Sequence, residues 1–337
     1  MTDKQVLKIR QDFPWFKNNP KLKYLDSSAT SLKPKSVVQA IEDWYFKYCT
    51  NTHNTDSVFA YKTTQMVADV RKQFAKHLNV KPEEVIFTSG ATESLNLAVF
   101  GLKDFIKKGD EIIVSYTEHT SNFLPWQMVA NEKKAKLIFA SNKPYYTEKD
   151  IINKVTKKTK AISICNASNI LGYDLDFKKI SIEARKKNPH VIIVIDATQA
   201  IPHRKYNVGD ANIDCLAFSG HKMVGPTGIG ICYINKRWLN KIKPYKFGGG
   251  MNSTVCETSF EYADGPDKFE GGTPNLAGIV GLGAALKYLD KIGWEKIHNH
   301  ELELKEYADK KFAQLNNIEY YLLNNFHLFV HFGNLKI

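Results

Sequence analysis

Arginine is scarce in this chain. It occurs only at Arg10, Arg71, Arg185, Arg204 and Arg237, so nearly all of the 47 basic residues are lysine. The lysines are scattered, with no run longer than a pair such as Lys107-Lys108 or Lys157-Lys158. A dedicated nucleic-acid surface clusters arginine with interleaved aromatics. The net charge of +12 therefore reads as a lysine bias over solvated faces, and nucleic acid is not an expected partner. Long apolar runs are also missing: the longest aliphatic stretch, Val191 to Ile195, cannot span a bilayer, and the first ten residues contain no apolar signal core. Cys49, Cys165, Cys215, Cys232 and Cys256 form no CxxC pair and show no short metal-ligand spacing, so no metal site is expected. Three of them lie in apolar strand-like runs, which suits buried thiols in a reducing compartment. A cytoplasmic protein without a membrane partner is the expectation. Nucleotide motifs are lacking too: there is no GxxxxGK[ST], and no GxGxxG follows a strand.

What the chain does have is an alternating texture. Pro34 followed by Val37, Val38, Ile41, Trp44, Tyr45 and Tyr48 has helical spacing with proline in the first turn, and Val67, Val70, Phe74 and Leu78 repeat it. Strands are expected at 84–88, 111–115, 136–140, 160–165, 191–195, 215–218 and 229–234. Helices are expected between them at 92–107, 121–130, 148–157 and 177–187. Such alternation predicts an α/β fold, a mainly parallel seven-stranded sheet sandwiched by helices. The last two strands have no helix between them and should be antiparallel. Beyond Lys236, the stretches 248–250 and 264–274 read as loops, and helices follow at 276–291 and 294–315 before a weak apolar run at 326–332. The expected division is an N-terminal arm, 1–20, a large domain, 21–275, and the start of a smaller C-terminal α+β domain, 276–337.

In an open α/β sheet, ligands bind at the carboxyl ends of the strands, so the polar residues that close each apolar run are the candidates. Ser89-Gly90-Ala91-Thr92-Glu93 opens a helix with a glycine, a hydroxyl and free amides, a cradle for an anion such as phosphate or, more plainly, an ordinary N-cap. His119 follows the second strand and Ser168-Asn169 the fourth. Asp196 directly follows five aliphatic residues, at a depth where a carboxylate calls for a cationic partner. Ser219, His221 and Lys222 sit on a tight turn ahead of the breakers Gly225, Pro226 and Gly228. A lysine there suits a Schiff base with an aldehyde cofactor, the alternative being a solvated turn lysine. Lysine, deep aspartate and phosphate cradle at the ends of one sheet form the set that pyridoxal phosphate requires. His298 and His300, two apart on a helix, point away from each other and read as solvated residues.

The stretches YLDSSATSLKP, FTSGATESLNL, TEHTSNFLPWQ, ASNILG, IDATQA, FSGHKMVGPTGIG and FEGGTPN follow in order over nearly all of residues 20 to 290. Together they resemble class V aminotransferase-fold proteins, and most closely the Suf-type branch of the cysteine desulfurases. That resemblance implies a fold-type I enzyme with pyridoxal 5′-phosphate. L-cysteine would yield L-alanine, its sulfur leaving as a persulfide for iron-sulfur cluster assembly. Lys222 would bond the cofactor, with His119 stacked on its ring, Asp196 paired with the ring nitrogen, and Gln199 and Asn169 at the ring substituents. Ala91, Thr92, Ser219 and His221 would hold the phosphate, with Thr273 reaching in from the partner subunit of a homodimer. His53 matches a family active-site histidine and would lie with Asn169 on the substrate side, and a sulfur-acceptor scaffold protein would be the partner. The family's nucleophilic cysteine and carboxylate-binding arginine would lie beyond Ile337. Within these residues the sulfur-accepting attack would lack its nucleophile, Cys256 being the one substitute considered. A related aminotransferase or lyase for another amino acid, or an inactive cofactor-binding fragment, are the alternatives at this stage.

Overall fold

A computed structural model describes residues 1–52, 56–143 and 146–315. His53 and the apolar run at 326–332 lie outside the described residues. The arm predicted at 1–20 contains two short helices, α1 (Asp3–Arg10) and α2 (Pro14–Asn18), followed by α3 (Lys35–Lys47) and α4 (Val58–Leu78). The alternating part comprises β1 (Val85–Thr88), α5 (Ala91–Leu102), β2 (Glu111–Val114), α6 (Thr120–Lys133), β3 (Lys136–Phe139), α7 (Glu148–Lys154), β4 (Thr159–Cys165), α8 (Phe177–Lys187), β5 (Ile192–Asp196), β6 (Cys215–Ser219) and β7 (Gly230–Ile234). After the short α9 (Lys236–Leu239), a hairpin of β8 (Asn252–Val255) and β9 (Phe260–Tyr262) precedes α10 (Leu276–Ile292) and α11 (Trp294–Phe312). This hairpin lies between the two stretches expected as loops, where no element was expected: its strands are short and mostly exposed, so they carry no apolar alternation to read.

The large sheet has the order β1-β7-β6-β5-β4-β2-β3. Only β7 runs antiparallel, pairing Val85 with Tyr233 on one side and Cys215 with Ile234 on the other. Because side chains alternate across a strand, successive residues serve opposite cores. Ile193 and Ile195 join the core under α4, α8 and α10, whereas Ile192 and Val194 join the one under α5 and α6. All four are fully buried, each side chain contributing about 1.5–3 kcal/mol. Cys165, Cys215 and Cys232 are buried in these strands as expected. In α4 the predicted apolar residues face the core, Ser57 caps the start, and Asn79 closes the helix in the left-handed region at φ 55°. The helix α10, where the second unit was expected to begin, packs on α3 and α4.

Two local features hold the carboxyl edge open. Gly90, at φ 155°, and Gly230 let the loop before α5 lie directly on β7; a Cβ on Gly230 would stand 2.5 Å from the Gly90 Cα. Further along, the Asn275 side chain caps α10 through the Gly278 amide and donates to the Gly228 carbonyl at 2.8 Å, tying the GTPN segment to the turn after Lys222. Among the described residues, no helix is long and apolar enough to cross a membrane.

Candidate active site

The carboxyl ends of β4, β5 and β6 are adjacent, with Cys165 opposite Asp196 and Asp196 opposite Ala217. Above them opens a cavity of about 570 Å³, within the range of small-molecule sites. Nine of the predicted residues line it: Ala91, Thr92, His119, Asn169, Asp196, Gln199, Ser219, His221 and Lys222. They reach it from β5, β6, the turn after β6, the starts of α5 and α6 and the loop after β4, because a parallel sheet delivers every strand end to the same edge.

At one end stands the N-terminus of α5, whose first turn carries the partial positive charge of the helix dipole. The Ala91 amide donates to Ser219 Oγ at 2.8 Å, and Thr92 Oγ1 lies 2.7 Å from Ser121 Oγ. His119 caps α6: its Nδ1 accepts the Ser121 amide at 3.2 Å. A nitrogen that accepts a backbone N–H bears no proton, so the neutral ring carries its hydrogen on Nε2. His221 Nδ1 lies 3.2 Å from Thr30 Oγ1, and burial, then Lys222 and Lys33, push His221 below the usual histidine range.

Lys222 Nζ donates to the Ser28 carbonyl, which also accepts Gln199 Nε2 at 2.8 Å. Burial lowers the Lys222 amine below its ordinary value, opposed by Asp196 and Asp26, which moves it toward the neutral, nucleophilic form. Asp196 is 5% exposed, and burial raises its carboxyl against the Thr198 hydrogen bonds and the charges of His119 and Lys222. The expected cationic partner is not in contact. Asp196 Oδ1 instead accepts the Thr198 amide and hydroxyl, because the chain turns sharply after β5 and brings residue 198 back onto the carboxylate. The arrangement offers a ligand a positive helix end, a nucleophilic amine and a buried carboxylate with accepting capacity to spare.

Thr273 does not line the cavity; its Oγ1 accepts from Asn51 Nδ2 at 3.4 Å. His298 and His300 are half-buried on α11 and not solvated as expected, with His300 Nδ1 3.3 Å from Glu303 Oε2, because α11 lies over α10. Among the described residues, no group of three His, Cys, Asp or Glu comes together to hold a metal. Asp26 and Ser28 line the site from a loop between α2 and α3. Their signal was the YLDSSATSLKP stretch, from which sequence reasoning drew no site residue. Beneath the floor, Glu118 accepts Ser115 Oγ and Asn122 Nδ2, each at 2.6 Å, and burial raises it to about 7. Cys165 also lines the cavity, 3.5 Å from the Tyr173 hydroxyl, but burial pushes its thiol well up.

A family model, aminotransferase class-V, matches residues 23–328. A probable cysteine desulfurase of Ureaplasma parvum is 46% identical over 93% of this chain and 78% of its own length. Among solved structures, an apo cysteine desulfurase from Thermococcus onnurineus superposes with a TM-score of 0.86 at 34% identity, covering 91% of this chain and 76% of that one. A cysteine desulfurase from Escherichia coli superposes with a TM-score of 0.83 at 31% identity, over 92% and 77% respectively.

Proposed function

This chain belongs to the class-V aminotransferase family, and from that premise we propose how its cavity serves the cysteine desulfurase reaction, in which L-cysteine gives up its sulfur and leaves as L-alanine. The cofactor is pyridoxal 5′-phosphate, and the residues present fit it: a basic nitrogen needs a buried acid, an aldehyde needs an amine, and a phosphate needs amides and hydroxyls at a helix start. Once bound, the cofactor supplies an electron sink at the substrate's α-carbon.

Lys222 would hold the cofactor through its amine, and that amine would also be placed to move a proton to or from the substrate carbon. Asp196 keeps the ring nitrogen protonated; its Oδ1 is occupied by Thr198, which fixes the carboxylate in place. His119, its Nδ1 held by the Ser121 amide, presents one ring orientation against the cofactor face, and Gln199 and Asn169 meet the ring substituents. Thr92, Ser219, His221 and the Ala91 segment take the phosphate, with Thr273 of a second copy completing that end in a homodimer. His53 and Asn169 are assigned to the substrate side. The single observation that carries this reading is the convergence of Lys222, Asp196 and the α5 N-terminus on one cavity.

None of the five cysteines combines an exposed thiol with a place in that cavity. Cys49 and Cys256 are exposed but outside its lining, and Cys165 lines it but is held protonated. Among the described residues no thiol is placed to accept the sulfur, which in this reading passes onward as a persulfide to a scaffold protein for iron-sulfur cluster assembly. The free thiols suit a cytoplasmic location. In this reading the large unit ends at 275 and the smaller begins at 276, with α10 as the helix by which the smaller unit rests on α3 and α4. The reading is tested by incubating the cofactor-loaded chain with L-cysteine and a thiol reductant. Equal amounts of alanine and sulfide are expected, and pyruvate or transamination products without alanine would overturn it.

A further inference from the structure

The turn that carries Lys222 is strained, and the strain has a specific support. Val224, two residues on, adopts φ 53°, in the left-handed region that a β-branched residue rarely enters. Its amide donates to Ser31 Oγ at 2.8 Å. The same hydroxyl donates to the His221 carbonyl at 2.9 Å, which also receives the Ser31 amide at 3.0 Å and Lys33 Nζ at 3.0 Å. One serine side chain thus spans the backbone on both sides of Lys222, from a segment some 190 residues earlier in sequence. A few residues before it, Ser28 receives the lysine amine itself.

We propose that Ser31 is a positioning residue for Lys222: its hydroxyl bridges the His221 carbonyl and the Val224 amide, holding a strained turn in the one shape that points the lysine amine into the cavity. The inference rests on the reading of Lys222 as the cofactor lysine. Neither Ser31 nor Val224 lines the cavity, so any effect on the cofactor passes through the turn. Replacing serine by alanine leaves the Val224 amide without its acceptor and the strained valine without its anchor, while the His221 carbonyl keeps the Ser31 amide and Lys33.

The test measures the dissociation constant for pyridoxal 5′-phosphate, together with hydrogen exchange at the Val224 amide in the cofactor-free chain. For S31A, both are expected to rise about tenfold, ~1.4 kcal/mol in each equilibrium, while S31T, which keeps the hydroxyl, stays within about threefold of the wild type. Glycine takes a positive φ without cost, so in a V224G background the loss on S31A falls to about threefold. That pair also keeps the test open if S31A alone fails to fold. Cofactor binding and exchange within about twofold of wild type in S31A, or an undiminished tenfold loss in the V224G background, would overturn the proposal. A K222A control separates the two levels. If K222A keeps the lysine-linked absorption band, the functional reading fails; if the band is lost while S31A behaves as wild type, only the present inference fails.

Discussion

Two of the places where this molecule buries charge handle it in opposite ways. Behind β1, Arg71 and Glu270 form a bidentate pair at 2.7 and 2.8 Å, the Phe87 amide donates to Glu270 at 2.7 Å, and the guanidinium lies 4.6 Å from the Phe87 ring centroid. In the cavity, Lys222 and Asp196 influence each other electrostatically, yet Lys222 bonds to a carbonyl and Asp196 to Thr198. The first pair is closed and satisfied, and it anchors the FEGGTPN segment against the sheet. In the second, opposite charges are held apart, at a cost to the fold that a ligand placed between them recovers.

The comparison breaks most visibly at Glu270. Replacing it by alanine strands a buried guanidinium, and thermal or urea unfolding should register a loss of about 3–5 kcal/mol. Asp196→Ala should behave differently: unfolding changes little or improves, because an incompletely compensated buried carboxylate is removed. Cofactor binding, followed by absorbance titration, should weaken by about 10- to 100-fold, the range for losing a hydrogen bond to a charged group. Glu118 sharpens the contrast from below the floor. Burial raises it from its ordinary value of 4.5 to about 7, so between those values the native state holds more protons than the unfolded one, and this group's contribution to stability falls as pH rises. Glu118→Gln mimics the protonated acid. Its stability relative to wild type should increase between about pH 4.5 and 7 by about 3 kcal/mol in paired unfolding curves and level off above that, and a flat difference would contradict the raised value. The smallest effect belongs to exposed charge. Lys186 and Glu183, paired at 2.6 Å on the surface of α8, should cost less than about 0.5 kcal/mol when Lys186 becomes alanine.

These contrasts also explain what was legible in the sequence. Asp196, Ser219 and Lys222 stand where apolar runs stop, and the parallel sheet gathers run ends at one edge, so both the seven strands and most of the cavity lining could be read in advance. Asp26, Ser28 and Ser31 belong to a loop whose place is fixed by hydrogen bonds to residues some 170 to 194 positions away, which no local pattern encodes. Asp196 shows the limit from the other side. Its depth was legible from Val191 to Ile195, but the Thr198 contact depends on a tight turn that no local pattern announces. The β8–β9 hairpin went unread because exposed strands need no alternation.

Lys222, bonded to the Ser28 carbonyl and ion-paired with no carboxylate among the described residues, is held ready for a carbonyl ligand. That readiness is tested most directly by the visible absorption of the purified chain after incubation with pyridoxal 5′-phosphate and treatment with borohydride. The wild type should show a lysine-linked visible band before reduction, borohydride should bleach it while fixing the cofactor irreversibly to the peptide containing Lys222, and both band and label should be absent in Lys222→Ala. An unchanged band in that variant, or label on another lysine, would contradict it.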